Sequence, residues 1–126
     1  VSPAIEFSGV SLRIENSRTL LDGIDLSLAT GSVTALLGRS GSGKTTLLRM
    51  VNRLAQPSAG SVRVHGEDVA RKDMIALRRG IGYVIQETGL FPHLTIARNV
   101  MMVPELAGGD SRRSSTRLHE LLQAVG

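Results

Sequence analysis

Residues 38 to 45 read Gly38-Arg39-Ser40-Gly41-Ser42-Gly43-Lys44-Thr45, a complete G-x-x-x-x-G-K-[ST] phosphate-loop pattern. Its flanks decide what the pattern means. Before it stands Val33-Thr34-Ala35-Leu36-Leu37, a short apolar run, β-branched at its start, that predicts a buried parallel strand. After it, Leu47, Met50, Val51 and Leu54 recur at i, i+3, i+4, i+7, which predicts a helix closed off by Pro57. Strand, glycine loop and helix in that order predict an α/β core holding a nucleoside triphosphate.

Each residue type in the loop answers to a physical demand. Gly38, Gly41 and Gly43 permit backbone angles and a closeness of approach that a Cβ would block, so successive N–H groups can turn toward phosphate oxygens. The helix beginning near Lys44 adds its positive N-terminal dipole, and the Lys44 ammonium reaches the β- and γ-phosphates as a mobile charge. Thr45 is placed to offer a hydroxyl to Mg2+, an ion that otherwise keeps water and phosphate oxygens. Ser40 and Thr46 are expected as further phosphate donors, and Arg39 and Ser42 complete the run that touches nucleotide.

Composition narrows the classes. The chain has 126 residues, enough for one domain with a real core, and no cysteine, which excludes disulfides and thiolate metal sites. No apolar run approaches the roughly 18 residues of a membrane span, and no basic-then-apolar signal segment opens the chain. The net charge of +4 comes from arginines scattered along the sequence, with local clusters at Arg71, Lys72, Arg78 and Arg79 and at Arg112, Arg113 and Arg117. These read as solvated helix faces. With Phe7, Tyr83 and Phe91 the only aromatics, base-stacking surface is scarce and nucleic acid is not expected as a partner.

Outward from the loop, residues 4 to 14 and 20 to 28 alternate apolar and polar around a turn at Asn16-Ser17-Arg18, an antiparallel pair. Pro57-Ser58-Ala59-Gly60 is a breaker, followed by a short strand Val62-Arg63-Val64-His65-Gly66 ending in a turn. His65 has no second ligand-type residue at metal spacing and reads as surface structure. Asp73 to Arg79 predicts a short helix stopped by Gly80. Ile81-Gly82-Tyr83-Val84-Ile85 predicts a second buried strand ending at Gln86, and open α/β sheets keep ligand contacts at such carboxyl ends. From Thr95 the pattern is helical, interrupted by Pro104 and Gly108-Gly109-Asp110-Ser111, and Leu118, Leu121, Leu122 and Val125 mark one more amphipathic helix.

The phosphate loop, Ile81 to Gln86 some forty residues on, and then Gly89-Leu90-Phe91-Pro92-His93-Leu94-Thr95-Ile96 resemble the first half of an ATP-binding-cassette (ABC) subunit over nearly the whole chain. The wording of residues 81 to 96, with Asn99-Val100 and Val103-Pro104-Glu105-Leu106, is similar to the branch serving importers of osmoprotectants such as glycine betaine, choline and carnitine. The resemblance implies a P-loop NTPase of the ABC type: an antiparallel region over 1–32, a phosphate-loop core over 33–88 with a parallel sheet, and the start of a helical subdomain over 89–126. It implies ATP with Mg2+ as ligands and Gln86 as the glutamine that touches the magnesium shell or attacking water, with Lys44 beside it in catalysis. A second nucleotide-binding subunit and transmembrane permease subunits, met around Phe91 to Val100, are the implied partners. The implied location is cytoplasmic, peripheral on the inner face of the cell membrane.

Two departures accompany the matches. Where the family usually stacks an aromatic residue on adenine, the alignment of Phe7 to Arg13 puts Ile14. The family's signature motif, its Asp-Glu pair after an apolar strand and its switch histidine are absent from these 126 residues. The stretch is therefore expected to be an N-terminal portion of a longer subunit that binds ATP without efficient hydrolysis. In related cassettes other strands lie between the two predicted parallel strands, so a gap between them, and marginal stability or self-association, is expected. A small nucleotide kinase and a repair-type ABC ATPase are the alternative classes.

Overall fold

The alternating N-terminal segments become two long strands in the computed structural model, which describes residues 2–14, 18–87 and 89–126, the side chains of Ser111 and Arg112 excepted. β1 (Ile5–Ile14) and β2 (Arg18–Leu28) pair antiparallel from Ile5 opposite Leu28 to Ile14 opposite Arg18. Of the expected turn, Asn16 and Ser17 lie outside the described residues, and Arg18 already opens β2. β3 (Ala59–Val64) takes the other edge of β1, and β4 (Glu67–Asp68) pairs with β3, giving the order β2-β1-β3-β4.

Two backbone details fix the register. Val64 faces Glu67 across a two-residue loop, His65-Gly66, whose φ angles of 50° and 80° are those a type I′ hairpin turn demands. At the other end of β3, Ala59 and Gly60 belong to the strand and not to the breaker the sequence suggested. Gly60 has φ 82°, and a Cβ there would stand 2.4 Å from the Gly9 carbonyl oxygen. Only glycine lets β3 cross β1 where its register shifts between Ser8 and Ser11.

The sheet's apolar face receives the helix that follows the phosphate loop. α1 (Lys44–Val51) buries Leu47, Met50 and Val51 with Phe7, Val10, Leu21, Val62, Val64, Val69 and Leu77. Each such side chain, fully buried, stabilises by about 1.5–3 kcal/mol. Leu54, read from spacing as a further helical position, is half exposed, because α1 stops at Val51 well before Pro57. The cause is a left-handed residue: Arg53 has φ 57°, its N–H donates to Met50 O at 3.2 Å, and Leu54 N–H donates to Arg49 O at 2.8 Å. That bonding pattern is a Schellman end with arginine where glycine is usual. Arg78 stabilises it, Nε donating to Asn52 O at 3.0 Å and Nη2 to Arg53 O at 3.1 Å, from α2 (Met74–Arg79). The basic cluster at 71–79 is thus partly structural: besides Arg78, Lys72 pairs with Glu67 at 3.0 Å.

The chain divides into two compact units, Val1–Ile81 and Gly82–Gly126. The second contains α3 (Ile96–Leu106) and α4 (Ser111–Val125). Thr95 caps α3, its hydroxyl accepting from Arg98 N–H at 3.2 Å. Pro104 does not interrupt the helix as expected but lies within it. So close to the carboxyl end its missing N–H forfeits a single bond, and Gly109 N–H satisfies the Pro104 carbonyl at 3.0 Å. α4 begins at Ser111, the last residue of the expected glycine-rich interruption.

Neither predicted parallel strand is formed. Residues 33–37 and 82–85 have no strand partner, and every strand pairing among the described residues is antiparallel. Val33 and Leu37 are 101% and 91% exposed and Val84 is 95% exposed, so these runs are apolar but mostly exposed, with Leu36 half-buried against the core. An extended segment becomes a strand only by exchanging backbone hydrogen bonds with a neighbour, and these two have none. Gln86 accordingly does not end a strand.

Candidate functional site: the phosphate loop and the face beside it

Loop residues 38–43 wrap around the Lys44 ammonium. Nζ donates to Arg39 O at 2.7 Å and to Gly38 O at 2.9 Å, and lies 3.3 Å from Ser42 Oγ. One charge thereby draws the start of the loop back toward the helix that ends it. Gly41 and Gly43 have φ 78° and 94°, the left-handed region that lets consecutive peptide N–H groups share one side. Gly38 does not need that freedom, and a Cβ there would press on Ser42 Oγ at 3.0 Å.

The donors left over point to an anion. Ser42 N–H is used internally, donating to Arg39 O at 3.2 Å, and Leu47 N–H begins the helical ladder on Gly43 O at 2.8 Å. Between and around them the backbone N–H groups of Ser40, Gly41, Gly43, Lys44, Thr45 and Thr46 have no acceptor among the described residues. Gly43 caps α1 without any side-chain hydrogen bond, so the helix N-terminus keeps its positive end unneutralised. Thr45 is exposed and Thr46 half-buried in the first turn, while Ser40 and Ser42 are exposed on the loop. Clustered N–H donors, a lysine and adjacent hydroxyls fit a polyphosphate.

Gly43 also ties the loop to the sheet. A Cβ on it would stand 2.8 Å from Leu21 Cδ2 and 3.4 Å from Leu20 Cγ, so the start of β2 packs directly on the loop's last glycine. Twenty-two residues separate Leu21 from Gly43, and no sequence period connects them; the contact comes with the packing of α1 and Leu21 in one core. Ile14, at the end of β1, is 41% exposed.

The remaining expected residues belong to the second unit. Gln86 is exposed there, and no strand positions it. Phe91 is half exposed, its ring edge-on to His93 with centroids 5.9 Å apart. Among the described residues no cluster of three His, Cys, Asp or Glu could hold a metal. No helix among the described residues is long and apolar enough to cross a membrane.

Comparison with known proteins gives this loop, helix and antiparallel sheet a family. The ABC transporter family model matches residues 21–126, and the chain belongs to that family. It is 40% identical over 96% of its length to the glycine betaine/carnitine/choline transport ATP-binding protein OpuCA of Bacillus subtilis, covering 32% of that protein. It is 46% identical over 83% of its length to the osmoprotectant import ATP-binding protein OsmV of Salmonella typhimurium, covering 28% of it. The chain thus spans about a third of the length of the curated relatives it matches. A bacterial Atm1-family ABC exporter with ATP bound matches 80% of this chain and 18% of its own, at TM-score 0.73 and 33% identity.

Proposed function

We propose that these residues are part of an ATP-binding subunit of an ABC importer, which couples ATP binding and hydrolysis to the uptake of a small osmoprotectant or quaternary amine. The observation that carries the reading is the phosphate loop, with its Lys44-centred fold and its N–H donors that have no acceptor among the described residues. The solute class is supported by the names of relatives that match nearly the whole stretch.

In this reading the loop N–H groups and Lys44 bind the β- and γ-phosphates, and Thr45 supplies a hydroxyl to Mg2+, which when bound neutralises charge between those phosphates. Lys44 exchanges carbonyl partners for phosphate oxygens, a stronger, charge-assisted interaction. Gln86 contributes to the magnesium shell or attacking water. The 126 residues alone hold nucleotide without turning it over, since no apolar run followed by Asp-Glu supplies carboxylates to orient water. Two nucleotide-binding subunits work together on the inner face of the membrane, and the segment Phe91 to Val100 meets the permease.

Uptake of radiolabelled glycine betaine by cells lacking the ATP-binding subunit, complemented with the whole subunit that contains these residues or with its Lys44→Ala form, tests the reading. Restoration by the unaltered subunit and not by the variant is expected. Growth and uptake indifferent to both would overturn it.

A further inference from the structure

The register of the β1–β2 pair places an arginine beside the nucleotide site that the loop pattern does not include. Leu12 stands opposite Leu21, and Ile14 stands opposite Arg18. Alternation along β1 puts Leu12 and Ile14 on one face. On β2 the register shifts at Leu20, an extra residue between the pairs Leu12–Leu21 and Arg13–Thr19. Since Leu20 and Leu21 both approach Gly43 of the phosphate loop, Leu20 and Arg18 two residues before it share that face. At about 3.3 Å per residue, the Ile14–Arg18 pair lies only about 7 Å along the strand from Leu20. Arg18 is exposed, and its guanidinium has no hydrogen bond or ion pair with any described residue.

We infer that Arg18 is the base-stacking residue of this site, its guanidinium plane lying on the nucleobase while Ile14 gives the apolar contact beside it. The inference rests on the nucleotide-binding reading above. A guanidinium is flat, weakly hydrated and suited to stacking on aromatic rings, which an ammonium is not. An arginine tied into an ion pair could not do this without first breaking it. Arg18 has no such tie, and its strand holds it on the loop's side of the sheet.

The experiment is calorimetric titration of the full chain with two probes, MgATP and inorganic tripolyphosphate, at about 0.15 M salt to screen long-range charge. Arg18→Ala is expected to weaken ATP about tenfold, the loss typical of one base stack, and to leave tripolyphosphate unchanged. Arg18→Lys, which keeps the charge and loses the plane, should lose nearly as much ATP affinity as Arg18→Ala. Arg18→Tyr should stay close to the parent. The inference fails if Arg18→Ala leaves ATP binding intact, if tripolyphosphate weakens by the same factor, or if lysine restores parental affinity. A parent that binds neither probe would instead sink the nucleotide reading itself, and retained tripolyphosphate binding shows that each variant is folded.

Discussion

The side-chain amide of Asn99 holds the backbone of Phe91 in both directions: Oδ1 accepts from Phe91 N–H at 2.8 Å, and Nδ2 donates to Phe91 O at 3.1 Å. The same Nδ2 lies 3.2 Å from Leu94 O and 3.0 Å from Thr95 O. One amide in the first turn of α3 thus shapes the loop that precedes it, and leaves the Phe91 ring half exposed beside His93. Asn99→Ala should speed hydrogen exchange at the Phe91 amide about tenfold, the worth of a net hydrogen bond of about 1–1.5 kcal/mol. Asn99→Asp keeps the acceptor and should preserve that amide's protection better. Equal exchange in all three proteins would show that Phe91 is held by something else.

Lys44→Ala removes the charge that both gathers the loop and faces the phosphates. The loss in ATP affinity should be about 2–4 kcal/mol, since charge-assisted contacts to a multiply anionic ligand are removed. Thr45→Ala should chiefly flatten the dependence of binding on Mg2+. Calorimetry with and without Mg2+ separates the two, and parental affinity in both variants would make the loop merely structural.

Purified as these 126 residues, the chain should bind ATP and release phosphate far more slowly than about 1 s⁻¹. Positioning and electrostatic stabilisation supply nearly all catalysis in phosphoryl transfer, and the stretch holds no Asp-Glu pair after an apolar run. Steady phosphate release near 1 s⁻¹, abolished by Lys44→Ala, would contradict this.

The phosphate loop, α2 with its Asp73 cap and Gly80 stop, and the β1–β2 pair were all legible in the sequence, because each is specified by residues close together in the chain. The end of α1 was not. No glycine marks it, and Arg53 adopts φ 57° with support from Arg78, twenty-five residues away. Leu21 on Gly43 and Arg18 beside Ile14 escaped for the same reason, being products of core packing and of strand register. Residues 33–37 and 81–85 failed differently. Their apolar, β-branched composition announces what a strand could bury, and burial depends on a neighbouring strand that composition does not mention.

Two glycines should respond very differently to alanine. At Gly60 a Cβ would stand 2.4 Å from Gly9 O and 2.5 Å from Ser8 O, both backbone atoms, so β3 must separate from β1. At Gly66 nothing lies within 4 Å, and only φ 80° opposes the change, which costs about 1–2 kcal/mol. Denaturant unfolding should therefore show Gly60→Ala as the more destabilising, by at least about 2 kcal/mol more than Gly66→Ala. His65→Asn, matching the Asn-Gly preference of a type I′ turn, should stabilise slightly. Equal losses at both glycines would mean that β3 does not run so close to β1.

The exposed apolar runs should behave as unpaired backbone. In β1, Val10 is fully buried, and Val10→Ala should cost roughly 1–3 kcal/mol through lost burial and the cavity left behind. Val33, Leu37 and Val84 touch solvent over nearly their whole surface, so Val33→Thr, Leu37→Thr and Val84→Thr should each change stability by no more than about 0.5 kcal/mol. Their amides should exchange without protection while those of β1 are slow. Unpaired extended segments with apolar side chains also invite pairing between molecules. Sedimentation of the 126 residues at micromolar concentration should accordingly show concentration-dependent association, relieved by Val33→Lys and Val84→Lys together. A monomer with slow exchange over 33–37 and 82–85 would refute this, and would mean that the two runs are paired within one chain after all.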